Sequence, residues 1–281
     1  ALAGVILVSC AMDIQTLDFS GKNDLAHALY VPGFAAAAQY HGKLKGPLAE
    51  SGAQARRAAE SFVQEDYLAA LHQGARLSIA QRRRIAKRLA ELTGLRADVI
   101  EDHDLRISDQ LFFSELLRDQ GRMVGRLEAR VTGPMGARKS REWEFDPGIE
   151  AIVGPYTMAA NAYLREQLGV QTDQRYEILS MDVHKSWNWL QGESKGNCYT
   201  STSGALARAL RRNPHLRVLV ASGYYDLGTP YSATDYSLAR LDVPPDVMAR
   251  VTHRYYDAGH MMYTRTDDLK KLKTDLQAWL G

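Results

Sequence analysis

The sequence is short of several things, and each shortage closes off a class of protein. Only two of its 281 residues are cysteine, Cys10 and Cys198, so neither a disulfide framework nor a cysteine-rich metal site is available. Two buried thiols are expected instead. An excess of one charge is missing too. The 35 Lys and Arg against 33 Asp and Glu leave a net +2, too balanced for nucleic acid or an anionic membrane to be the main partner. No apolar run approaches the roughly 18 residues that a membrane span requires, and there is no internal repeat or low-complexity tract.

The start lacks a preceding turn, an initiator Met and a signal peptide. Ala1-Leu-Ala-Gly-Val-Ile-Leu-Val-Ser9 reads at once as a buried strand, apolar on both faces and in want of neighbours on both sides. Only two further stretches, 216–222 and 251–256, read as convincing parallel strands, whereas typical sheets carry about five or six. The expectation is that the chain is the C-terminal part of a longer polypeptide, or one of two chains, and that an upstream half completes the sheet.

Between those two strands lies the most informative stretch. Residues 216–221 form an apolar, Val/Leu-rich run without polar alternation, as for a parallel strand covered on both faces. Gly223, Gly228 and Pro230 punctuate the turn that follows and leave Asp226 on a loop. Residues 231–240 can form a helix, and 251–256 alternate like a strand before Asp257-Ala-Gly-His260-Met261. A strand–helix–strand unit of this length places two parallel strands with both C-terminal ends on one edge, where open α/β sheets keep their sites. Neighbouring strands are about 4.8 Å apart, so loops from the two tips can bring Asp226 to His260. That is the orienting half of a Ser-His-Asp triad, in the order used by α/β-hydrolases. The competing reading is that both are turn formers; Ala258 and Gly259, small enough to leave the ring uncrowded, favour the pair.

The span from about 23 to 168 reads as mostly helical. Residues 51–73 carry apolar positions at helical spacing behind a Ser51 cap with Gln54 in the capping-box position, and 78–93 repeat this with a Gly94 stop. Arg82, Arg83, Arg84, Lys87 and Arg88 form a basic face, read as a solvated helix surface. Further helices are expected over 108–119, 148–168 and 203–212, with 122–131 strand-like and 132–146 irregular. Glu101-Asp102-His103-Asp104 lacks the spacing of a metal site. Gly192-Glu193-Ser194-Lys195-Gly196 matches G-x-S-x-G, but an aromatic, amphipathic segment precedes it and a polar loop follows. A nucleophile elbow needs a strand into the Ser and a helix out of it, so Ser194 is expected to be a decoy.

Residues 213–230, with Asp226-Leu-Gly-Thr-Pro230, together with Asp257-Ala-Gly-His260-Met261, resemble the C-terminal signature of the serine carboxypeptidase family. The bacterial carboxypeptidase-related branch is the most similar. Leu105-Arg106, Glu115-Leu-Leu-Arg118, Gly125-Arg-Leu127, Gly154-Pro155 and Trp187-Asn-Trp189 resemble the same branch, and 2–9 resemble the strand after the family's nucleophile elbow. The resemblance implies an α/β-hydrolase fold with an inserted, mainly helical cap. Residues 1–19 and 201–281 would belong to the core and 20–200 to the cap. It implies a serine-type carboxypeptidase in which Asp226 and His260 are the acid and base and Met261 lines the leaving-residue side. It also implies a peptide substrate and no cofactor; the compartment is left open by the sequence, the resemblance leaning to an extracytoplasmic one. The elbow Ser, the oxyanion-hole donors and the carboxylate-binding residues would lie upstream of Ala1. An esterase, an aminopeptidase, a self-contained hydrolase using Ser194 and a non-catalytic binding protein on the same scaffold are the alternatives.

Overall fold

The computed structural model describes residues 2–21, 23–136, 143–189 and 199–281. β1 (Gly4–Val8) leads into a run of helices: α1 (Asp24–Leu29), α2 (Val31–Tyr40), α3 (Gly52–Phe62), α4 (Leu68–Gln73), α5 (Ile79–Thr93), α6 (Ala97–Asp102) and α7 (Asp109–Glu115). β2 (Arg122–Val124) and β3 (Thr132–Pro134) form an antiparallel ribbon ahead of α8 (Pro147–Ala162) and α9 (Met181–Ser186). The chain then runs through α10 (Ser203–Arg212), β4 (Arg217–Gly223), α11 (Tyr231–Ala239), α12 (Pro245–Met248), β5 (Val251–Tyr256) and α13 (Thr266–Leu280). The fold is mixed helix and strand around a small parallel sheet, ordered β1-β4-β5 among the described residues.

β4 is central because it is apolar on both sides. Val218, Val220, Leu210 of α10 and Leu238 of α11 pack on one face, while Ala221, Tyr256 and Leu272 of α13 pack on the other. Two covered faces are what a continuous Val/Leu run demands. Register pairs Val8 with Ala221 and Gly223 with Tyr256, all parallel. The three strands therefore end on one edge. β1 differs from the sequence expectation: it pairs with β4 alone among the described residues, leaving Ile6 44 % and Val8 39 % exposed.

The helices hold a separate core around Phe34, Tyr67, Ile85, Leu89 and Phe112, into which Tyr225 and Leu227 reach from the loop after β4. Tyr225 and Leu227 thus pack among the helices, while Asp226, between them on the turn, faces His260. Expected helix boundaries hold closely. The 51–73 helix passes through a widened π segment, Val63–Tyr67, between α3 and α4. Ser51 caps α3 by accepting the Gln54 N–H, whereas the reciprocal capping box forms at Ser78 and Gln81 of α5. The irregular stretch expected from 132 begins with β3. Gly133 and Pro134 disguise it, being poor strand formers on a two-stranded ribbon.

Candidate active site

The loop after β4 folds back on its own carboxylate. Asp226 Oδ1 accepts the backbone N–H groups of Gly228 and Thr229 at 2.8 and 2.9 Å, and Oδ2 accepts Thr229 Oγ1 at 2.7 Å. His260 Nδ1 supplies the fourth contact at 2.9 Å from Oδ2. A carboxylate offers about four acceptor positions, and here four donors of this chain fill them. Asp226 is wholly buried, while the His260 side chain keeps 31 % exposure. With Nδ1 committed to Asp226, Nε2 is the ring position left to act as base, and among the described residues it has no hydrogen-bond partner.

The backbone around His260 is fixed just as closely. Its N–H donates to the Leu127 carbonyl at 2.7 Å, and its carbonyl accepts Ser9 Oγ at 2.5 Å. Ser9 follows β1 directly and takes φ 48°, a left-handed conformation uncommon outside glycine; there its hydroxyl reaches across the strand tips. The 125–131 loop between β2 and β3 touches both site loops. Arg126 O accepts the Leu227 N–H at 2.9 Å, Ala129 N–H donates to Tyr225 O at 3.0 Å, and Glu128 Oε2 accepts the Gly259 N–H at 2.9 Å. Buried Asp146 in turn holds that loop, taking the N–H groups of Arg126, Leu127 and Gly148 at 3.0, 3.3 and 2.9 Å. It also caps α8.

Met261 lines a cavity of about 80 Å³ with Leu127, Val131, Ala151 and Ile152. Of the sequence candidates, the structure brings Asp226, His260 and Met261 together at the ends of β4 and β5. Ser194 and Cys198 lie outside the described residues. Burial pushes the Cys10 thiol up to about 11, which leaves it a poor nucleophile at neutral pH. His103 Nδ1 bonds the Val99 carbonyl at 2.8 Å and Asp104 pairs with Arg106 at 2.8 Å, so both serve the helical packing. Arg84 pairs with Asp66 and Arg88 with Glu91 on the basic face.

Sequence reasoning missed Ser9, Thr229, Glu128 and Asp146. Asp146 carried a readable signal, since Asp before Pro-Gly is a helix-cap pattern. Comparison of the chain with protein-family models, curated proteins and solved structures finds no match.

Proposed function

We propose that the chain supplies the acid–base half of a serine-type carboxypeptidase built on an α/β-hydrolase fold, with the helical span 20–200 as the cap over its cleft. The observation that carries this reading is the Asp226–His260 pair. Its carboxylate is fully engaged, its imidazole is aligned at 2.9 Å, and its Nε2 has no partner among the described residues at the C-terminal edge of a parallel sheet. The nucleophilic serine would arrive on a further strand docked along the open side of β1, from an upstream half of the polypeptide or a second chain.

In that assembly His260 Nε2 takes the serine proton as the hydroxyl attacks the carbonyl of a peptide's last bond. It then returns the proton to the departing amine, releasing the C-terminal residue and leaving an acyl-enzyme. Water, activated by the same nitrogen, hydrolyses the ester. Asp226 keeps the proton on Nδ1 and stabilises the imidazolium. Met261 and its small apolar cavity border the leaving residue. The chemistry calls for no cofactor.

The test is peptidase assay of the chain together with its upstream coding segment, on an N-blocked dipeptide. Asp226→Asn should leave folding near intact and lower kcat by up to about 10⁴-fold, because the ring would sit in the wrong tautomer. A fluorophosphonate should label the upstream segment and leave the isolated chain unlabelled, and Ser194→Ala should retain full activity. Label on the Ser194 peptide, lost in His260→Ala, would make the chain a self-contained hydrolase instead.

A further inference from the structure

A second cleft, of about 640 Å³, opens between α3 and the β4–α11–β5 unit, and none of Asp226, His260 or Met261 lines it. Its inner wall is aromatic. Tyr224 and Tyr255 are stacked, with ring centroids 5.5 Å apart and planes 2° from parallel, and Tyr231 stands edge-on to both at 5.2 and 5.9 Å. The two acidic residues of the wall are already engaged. Tyr231 OH donates to Glu60 Oε1 at 2.6 Å, and Tyr255 OH donates to Asp235 Oδ1 at 2.6 Å. Asp235 also orients His253, whose other ring nitrogen meets buried Ser222 at 2.9 Å. Burial, reinforced by Glu60 and Asp235, raises the Tyr231 and Tyr255 phenols far above their ordinary range, so they stay neutral donors.

The cationic side of the cleft is not engaged in this way. The Arg56 guanidinium lies 3.4 Å over the Tyr224 ring. Stacking of that kind uses the face of the guanidinium and leaves its in-plane N–H donors available for a carboxylate. Among the described residues neither Arg56 nor Arg57 forms an ion pair with a carboxylate. Val63 and Leu68 extend the apolar surface beside them. The cleft is mostly apolar by area, carries charged and hydroxyl groups along one side, and falls within the usual size range of small-molecule sites.

We propose that this cleft binds a small carboxylate with an aromatic body, the ring lying against the tyrosine wall and the carboxylate held by Arg56 and Arg57. Glu60 and Asp235 serve as second partners that fix the tyrosine hydroxyls. The site is separate from the Asp226–His260 pair and stands whether or not that pair is catalytic.

Hippurate, a benzoyl-capped carboxylate, and its neutral amide hippuramide are the probes, titrated into the whole chain by calorimetry and by amide chemical-shift mapping. Hippurate should bind saturably and shift amides around Tyr224 and Tyr255. Hippuramide should bind at least about tenfold more weakly, as should hippurate to Arg56→Gln/Arg57→Gln, each having lost charge-assisted hydrogen bonds. His260→Ala should bind hippurate as tightly as the parent chain. Absence of saturable binding, equal binding of the amide, indifference to the arginine substitutions, or loss of binding in His260→Ala would each overturn the proposal.

Discussion

The Leu127 carbonyl accepts the backbone N–H of His260 at 2.7 Å, so the histidine of the site hangs from a loop more than a hundred residues earlier in the chain. The neighbouring Arg126 carbonyl does the same for Leu227. One short loop thereby braces both tips from outside, alongside the direct bond between them from the Tyr225 N–H to the Ala258 carbonyl at 3.0 Å. The loop is positioned by Asp146, and through Asp146 it is tied to the first turn of α8.

That arrangement makes Asp146→Ala a sharp test. The buried carboxylate satisfies three backbone N–H groups, and stranding even one buried donor costs about 1–3 kcal/mol. Stability should fall by at least about 2 kcal/mol in urea unfolding, and hydrogen exchange at the His260 amide should rise more than at Val220 in the centre of the sheet. Exchange at His260 equal to that of the parent would detach the loop from the site.

Two glycines make the close approach possible. A Cβ on Gly259 would lie 2.2 Å from the Leu127 oxygen, and one on Gly223 would lie 2.2 Å from the Gly259 oxygen. Both obstacles are backbone and cannot swing aside. Gly223→Ala and Gly259→Ala should each destabilise by about 3 kcal/mol or more. Gly154→Ala, in α8 with nothing beyond its chain neighbours within 4 Å, should change stability by less than about 1 kcal/mol, since the helix gain of alanine is opposed by the crowding of a Cβ before Pro155. Thermal melts of the three variants separate the cases, and similar melting temperatures would remove the packing argument.

How far the sequence could be read follows from where its information lies. The strand ends and the Asp226–His260 pair were legible because a parallel strand writes itself as a local apolar run closed by glycine and proline. The 125–131 loop was not, since it acts through the backbone N–H and C=O groups of Arg126, Leu127 and Ala129, which every residue possesses. Thr229 and Ser9 escaped for a related reason. A hydroxyl's partner is set by tertiary geometry, and Ser9 bonds a residue 251 positions away. The Ser222–His253–Asp235 chain was hidden because His253 occupies an ordinary alternating position in β5.

Two histidines, His27 buried and His41 half-buried, give the fold an acid-side weakness. His27 Nδ1 lies 3.0 Å from the Ile107 carbonyl and His41 Nε2 lies 2.8 Å from the Ala129 carbonyl, and burial holds both below the ordinary 6.5. The unfolded chain therefore binds more protons than the folded one as pH falls through 6.5. Stability should decline from there downward and level off only below the folded values. Asp109, raised from 3.8 by burial, pulls the opposite way nearer that range. Urea midpoints should be lower at pH 5.5 than at pH 7.5, and His41→Gln, which keeps a donor but does not titrate, should narrow the gap. A midpoint independent of pH across this interval would contradict the assignment.

The open side of β1 carries the last expectation. Ala3 O and Ser9 N bond to β4, so backbone alternation turns the N–H and C=O groups of Gly4, Ile6 and Val8 outward. Such an edge, with Ile6 and Val8 part-exposed, invites another strand, whether a copy of the chain or the segment proposed to carry the nucleophile. Proline at position 6 removes an outward N–H and leaves the inward bonds of Val5 and Leu7 in place, the position on an edge strand where proline is tolerated. Ile6→Pro should therefore melt within a few degrees of the parent chain while reducing its self-association in sedimentation velocity. It should also weaken binding of the upstream segment when the two are expressed separately and mixed. Unaltered association in a variant that folds normally would mean that the partner strand, if it docks, does so elsewhere, and the proposed route for bringing a serine to His260 would fail with it.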